Sequence, residues 1–560
     1  MKLSCGAAIV TLMATAAFTS PESIAHAGGP ALDKPLHPAG RWVFLAILIA
    51  GLLYAGTSIF VDTKHVGENI AFGPFLFLGL ALIIALGFEF VNGFHDTANA
   101  VATVIYTNSL PAPVAVVWSG TWNFIGVLTS SGAVAYTIVT LLPVDLILHV
   151  GSGAGYAMIF ALLIAAVIWN LATWFFGIPN SSSHALIGSI LGVGLANQLM
   201  ATGGAAGTSG LDWGQVDKVF MSLLFSPLIG FGAALLLMFL LKALVRNPSL
   251  YKAPEGDTPP PAWIRALLIF TCTGVSYGHG SNDGQKGMGL IMLILIGVAP
   301  TAYALNRTMA PSDTPAFVQT ANTAAAAFSA HGTPVTDINT ARTTLTDALR
   351  AKKADTPQVY GSVATIAHDI TQRVQQYGTL NNVPASVTPN LRNDMYLVMD
   401  TATLVSADKK APQTFSAPET KAIGDYKKGL EHGTRYIPIW VKVAVALALG
   451  LGTMVGWKRI VVTVGAKIGK SHLTYGQGAA AELVTFATIL GADHLGVPVS
   501  TTHILTSGVA GASVANGSGL QAKTLLNMAM AWVLTLPVAM ALSGGLFWLF
   551  LALTRALGIA

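Results

Sequence analysis

The stretch "VNGFHDTANA" at 91–100 places His95, Asp96 and Asn99 inside a chain that is otherwise apolar for long distances on both sides. Far along the chain, "GHGSNDGQKG" at 278–287 repeats the pattern with Asn282, Asp283 and Lys286. A carboxylate at bilayer depth costs about 2.5–3.5 kcal/mol even on insertion scales, so Asp96 and Asp283 call for a cation, hydrogen-bond donors or a proton. Aspartate also caps helices, and either residue alone could do only that. Two aspartates in matching contexts point instead to binding: Asp96 and Asp283 as cation ligands, with His95, Asn99 and Asn282 as polar neighbours.

Two more stretches offer the opposite polarity. "GIPNSSSHALIG" at 177–188 and "GVPVSTTHILTS" at 496–507 carry a proline, hydroxyl residues and a histidine at the same offsets. Helix N-termini with free N–H groups and hydroxyl donors bind anions, tetrahedral oxyanions among them. Ser181, Ser182, Ser183, Ser500, Thr501 and Thr502 are therefore the expected anion ligands, although ordinary capping would explain either tip by itself. His184 and His503 could donate to the anion, carry protons or simply pack.

"GFHDTANA" from Gly93 aligns without gaps on "GSNDGQKG" from Gly280, and the two hydroxyl tips align in the same order, so the chain contains an internal duplication. Repeats with interrupted apolar segments at corresponding places are the sequence signature of a secondary transporter site. One asymmetry stands out. Lys286 takes the place of Asn99, so it either replaces a bound cation by a tethered one or neutralises Asp283 structurally. Glu482, Glu89 and Asn170 lie in or beside apolar runs and are further candidates for proton or cation work, Glu482 foremost.

These residues need elements to hold them. With 53% apolar residues, 10% charged and a mean hydropathy of +0.62, the 560-residue chain is an integral membrane protein. Apolar runs of about 20 residues span a bilayer of about 30 Å as helix. The formal charge of +5 is spread beside helix ends, which excludes a nucleic-acid stripe, and Cys5 and Cys272 suggest neither disulfide nor metal site. The expectation is an all-α polytopic membrane protein of inverted repeats, with helices broken at 92–99 and 278–287 and two re-entrant hairpins whose tips meet.

The divisions expected are 1–65 (leader and extra hydrophobic segment), 66–245 (first repeat), 246–262 (cytoplasmic link), 263–303 (start of the second repeat), 304–436 (insert) and 437–560 (remainder). Composition between 304 and 436 turns polar, with helical spacing, which predicts a mostly helical extramembrane domain. Lys242, Arg246, Lys252 and Arg265 place the link in the cytoplasm, and the insert then falls outside, in the periplasm where one exists. Residues 1–27 have the shape of a cleavable signal peptide, but counting spans back from the link favours its retention.

At these motifs the sequence resembles the PiT family of inorganic phosphate transporters, in particular its bacterial low-affinity type. "NGFHDTANAVATVIYT", "WNLATWFFGIPNSSSHALIG", "GHGSNDGQKGMGLIMLILIGVAP", "GVPVSTTH" and "AMAWVLTLP" carry the resemblance, over roughly 70–303 and 436–553. It implies symport of phosphate into the cell across the cell membrane (the inner one in a Gram-negative cell), with protons as coupling ion and a neutral divalent metal phosphate as cargo. Arsenate would compete. A divalent ion such as magnesium would be bound at Asp96 and Asp283 as cargo, not as a structural metal or cofactor. His95 and Lys286 stand where sodium-coupled members have asparagine, which favours protons over sodium.

Sodium coupling, another oxyanion such as sulfate, and a homodimeric assembly stay open. An enzyme or ATP-driven pump is not expected, because "GAKIGKS" from Gly465 has three residues rather than four between its glycines. A membrane sensor with an external ligand domain would need an output domain, and none follows the last apolar run.

Overall fold

A computed structural model describes residues 32, 38–67, 70–139, 141, 152–200, 213–256, 258–407, 411–556 and 558. The reading of residues 1–27 as a leader lies outside them. Among the described residues the chain is helical, with short 3₁₀ turns and one isolated bridge between Gly469 and Leu520. The first half comprises α1 (Pro38–His65), α2 (Phe72–Asp96), α3 (Ala98–Tyr106), α4 (Ala112–Thr129), α5 (Ala133–Val139), α6 (Gly153–Phe175), α7 (Ser182–Met200) and α8 (Trp213–Leu244). After the link comes α9 (Ala262–Val298), then the insert helices α10 (Thr314–His331), α11 (Ile338–Ala351), α12 (Pro357–Tyr377), α13 (Thr388–Ala407) and α14 (Ala417–Thr434). The chain finishes through α15 (Ile439–Gly452), α16 (Lys458–Ala466), α17 (Tyr475–His494), α18 (Thr501–Asn516) and α19 (Ala522–Ala556). Six described helical runs, α1, α2 with α3, α4, α6, α8 and α19, are long and apolar enough to cross a membrane.

The two expected breaks differ. Between α2 and α3 the helix is interrupted at Thr97 alone, within the expected segment, and Thr97 keeps helical dihedrals (φ −51°, ψ −38°) with its N–H on Gly93 O, so the chain does not unwind there. The second is corrected: α9 runs unbroken through residues 278–287 for 37 residues, about 55 Å at 1.5 Å per residue, and ends only at Ala299. Glycines here serve close approach instead of unwinding. A Cβ at Gly280 would run into the Asn123 carbonyl of α4, and at the aligned Gly93 into the Leu449 carbonyl of α15. Each repeat's first helix thus packs on the other repeat's second helix. The exchange recurs at the far end, where α8 packs on α18 and α19 on α7.

The hairpins α6–α7 and α17–α18 turn in the same way. Gly177 (φ +65°) and Gly496 (φ +66°) take the left-handed conformation that ends each first helix, which only glycine adopts without strain. Gly177 N–H donates to Trp174 O and Ile178 N–H to Thr173 O; Gly496 N–H donates to Asp493 O and Val497 N–H to Ala492 O. Each turn is then latched by a threonine of the opposite repeat: Thr463 of α16 donates to Gly177 O and Thr137 of α5 to Gly496 O, both at 2.8 Å. Because α3 packs on α16 and α9 on α5, the first hairpin's turn lies toward the link end of the bundle and the second's toward the insert end.

The insert has its own apolar core, built around residues such as Phe328, Ile366, Met395 and Tyr426. Arg342 pairs with buried Asp394 through two 2.7 Å bonds, and Asn306 N–H donates to Gly433 O (2.8 Å), closing the insert's entry on its exit. α1 leans on α15, with Trp42, Leu53 and Phe60 exposed, and Asp62 near its end accepts from Tyr303 (2.8 Å) and Trp440 (3.1 Å).

Candidate functional site

The N-termini of α7 and α18 converge on Asp96. Ser181 and Ser500 are spent as caps, each accepting the N–H of the histidine three residues on, His184 and His503, at 3.2 Å. Residues just beyond the caps, at non-equivalent positions of the two tips, reach the carboxylate. Ser182 Oγ donates to Asp96 Oδ2 and Thr502 Oγ1 to Asp96 Oδ1, both at 2.9 Å, so one hydroxyl comes from each hairpin. His95 Nδ1 lies 3.1 Å from Oδ1, and its Nε2 3.2 Å from Thr173. Two helix N-termini carrying partial positive charge here face one anionic group of the protein itself.

Asp283 stands across from it. Its Oδ1 is 2.8 Å from Lys286 Nζ, one turn further along α9. Lys286 also donates to Ser183, which donates to Val499 O at 2.8 Å. Asn99 makes the corresponding contact in the other repeat, donating to Thr502 at 2.9 Å and reaching Thr501 at 3.4 Å. Since Asn99 aligns with Lys286 and Thr502 with Ser183, one contact has been built twice, once with an amide and once with an ammonium. Asn282 braces the second tip, donating to Val497 O at 3.3 Å and accepting Val499 N–H at 3.5 Å.

Between the aspartates sits a residue that sequence reading missed. His279 Nε2 lies 3.7 Å from Asp96 Oδ2 and 3.7 Å from Asp283 Oδ2, while Nδ1 is 2.8 Å from Asn123 Oδ1. When Nδ1 donates to Asn123, the Nε2 lone pair points between two carboxylates. The signal was in the quoted stretch, because His279 precedes Asp283 by four residues and so shares its helix face. Asp96, His279 and Asp283 offer ligand atoms within 4.8 Å of one another, all buried. His279 Nε2 and Asp283 Oδ2 have no hydrogen-bond partner among the described residues. Two carboxylate oxygens and an imidazole nitrogen fit a divalent ion that keeps some of its water. With α9 unbroken, the oxygens come from side chains and not from unwound carbonyls.

His184 and His503 stack on each other with ring centres 4.6 Å apart, and Trp532 covers His503 at 4.4 Å. His184 Nδ1 also lies 2.9 Å from Ser181 Oγ. Glu482 is buried elsewhere, accepting from Thr103 and Thr271; Thr271 is about 18 Å down α9 from Asp283 at 1.5 Å per residue. Asn170 accepts from Asn180 (3.3 Å), whose Oδ1 accepts from Thr535 (2.5 Å), fixing the first tip against α19.

Residues 92–543, with both aspartates and both tips, match the phosphate transporter family. The chain belongs to that family. The low-affinity inorganic phosphate transporter PitB of Escherichia coli (strain K12) is 40% identical over 509 residues, covering 87% of this chain and 99% of that one. PitA of the same strain, also a low-affinity inorganic phosphate transporter, is 41% identical over 493 residues, 85% and 97% of the two chains. A solved structure, the sodium-dependent phosphate transporter, aligns over 85% of this chain and 98% of its own at 20% identity, with a TM-score of 0.47. The family is one of multi-pass membrane transporters and not of enzymes, in keeping with the apolar spans.

Proposed function

We propose that the protein imports inorganic phosphate across the cell membrane by proton symport, taking the anion together with a divalent metal ion such as magnesium as a neutral complex. The observation that carries this reading is Asp96, held by one hydroxyl from each hairpin. A free carboxylate competes with phosphate for the same donors, and each hydrogen bond to a charged group contributes about 1.5–3 kcal/mol. A cation or proton arriving at Asp96 draws the carboxylate away and frees Ser182 and Thr502 for the phosphate oxygens. Neither ion binds well without the other, which is what coupling requires.

The metal would sit with Asp96, His279 and Asp283, and it supplies the positive charge that lets a doubly charged phosphate enter a low-dielectric site. Lys286, already on Asp283, acts as the tethered cation and removes the need for sodium. Glu482 is a second carboxylate able to carry a proton toward the link side. Arsenate, with the same tetrahedral donors to satisfy, is accepted as well. The test is uptake of radiolabelled phosphate into proteoliposomes under an imposed proton gradient, with and without magnesium and sodium. Uptake driven by the gradient, enhanced by magnesium and indifferent to sodium is expected; uptake driven by sodium alone would overturn the proton reading.

A further inference from the structure

We propose that Glu89 is the proton-carrying station on the insert side of the site, a role resting on the proton-symport reading above. Glu89 is fully buried in α2. Its Oε2 receives one long hydrogen bond, 3.4 Å from Asn92 Nδ2, and its Oε1 has no partner among the described residues; Asn92 Oδ1 is likewise unpartnered. The side chain lies flat against Gly287 of α9, where a Cβ would collide with the carboxyl group. Gly287 is one turn beyond Asp283 and adjoins Lys286 on the helix that continues to the insert.

A buried carboxylate is kept charged only by a cation or by several donors. The charged groups facing Glu89 are Asp283 and Lys286 of α9, and Lys286 is 2.8 Å from Asp283. The other helices packed on α2 add little. α6 carries no charged residue, α7 has His184 at its start stacked on His503, and α15 has Lys442 near its start donating to Ser130 O at 2.8 Å. The one cation near Glu89 among the described residues is thus committed to Asp283, and in this proposal a proton moves on or off Glu89 as that pair rearranges.

Position gives the direction. Glu89 is seven residues before Asp96, about 10 Å toward the insert side, and Thr103, which binds Glu482, is seven residues after it, about 10 Å the other way. The two isolated carboxylates bracket the central pair. In a cycle, an O–H bond forms at Glu89 with a proton from water on the insert side and breaks when that proton is delivered to water on the link side.

The test uses the full-length protein in proteoliposomes loaded with a pH-sensitive dye. Glu89→Gln is expected to retain measurable phosphate counterflow, while uptake driven by the proton gradient falls by about tenfold or more and phosphate entry no longer acidifies the lumen. Glu89→Asp, which keeps an acid, should restore part of the gradient-driven uptake and the acidification. Gradient-driven uptake by Glu89→Gln at the wild-type rate overturns the assignment, as does loss of counterflow together with uptake in both variants. If the wild type itself ignores the proton gradient, it is the proton-symport reading that fails.

Discussion

At the scale of single residues, the site is a competition among charges. Asp96 takes the hydroxyls of two helix starts, and Asp283 takes Lys286. Lys286→Asn restores in the second repeat the amide that Asn99 supplies in the first, removing the fixed charge from Asp283. Uptake by this variant is expected to become sodium-stimulated, measured as initial rate against sodium concentration at constant ionic strength. A variant equally inactive at every sodium concentration would mean that the ammonium only holds the fold. What could be read in advance followed from residue type: an aspartate or lysine in an apolar run announces itself by its cost. His279 went unread because it falls one position before the aligned stretch that begins at Gly280, and its place between the aspartates appears only when α2 brings Asp96 within 3.7 Å.

At the scale of elements, duplication was legible and the use of glycine was not. The tips share Gly, Pro and hydroxyl positions because a left-handed turn and a helix start demand those types, and both turns form as the alignment implies. Glycine also permits close helix packing, and sequence cannot tell that use from a break; in α9 Gly280 serves contact with α4. The threonine latches had no sequence signal, since Thr137 and Thr463 sit in short helices and their partners are carbonyls of the other repeat. Thr137→Val and Thr463→Val should each lower thermal stability in detergent by about 1 kcal/mol, one side-chain hydrogen bond apiece. Lying at opposite ends of the bundle, their effects should add in the double variant within about 0.5 kcal/mol. A clearly non-additive double variant would show that the two turns are held as one unit.

At the scale of the whole molecule, the crossed packing of the repeats places α9 at the centre. It touches α4 and α5 of the first repeat and α17 of the second, and it leads from the link to the insert. The basic residues flanking the link predict that it faces the cytoplasm and the insert the outside. In a chain with Cys5→Ser and Cys272→Ser, an impermeant thiol reagent on intact cells should label Thr343→Cys, exposed in the insert, and leave Glu255→Cys, exposed in the link, untouched. The reverse pattern would turn the molecule over and exchange the entry and exit sides assigned to Glu89 and Glu482.

The central claim is that two inverted hairpins make one anion site and not two. Radiolabelled phosphate binding to the purified protein, read by scintillation proximity in magnesium, tests it through Ser182→Ala and Thr502→Val. Each variant removes one hairpin's donor to Asp96 and should weaken binding by about tenfold, the loss of one charged hydrogen bond, at an unchanged stoichiometry of one phosphate per chain. Two phosphates per chain, with each variant abolishing one and sparing the other, would contradict the account.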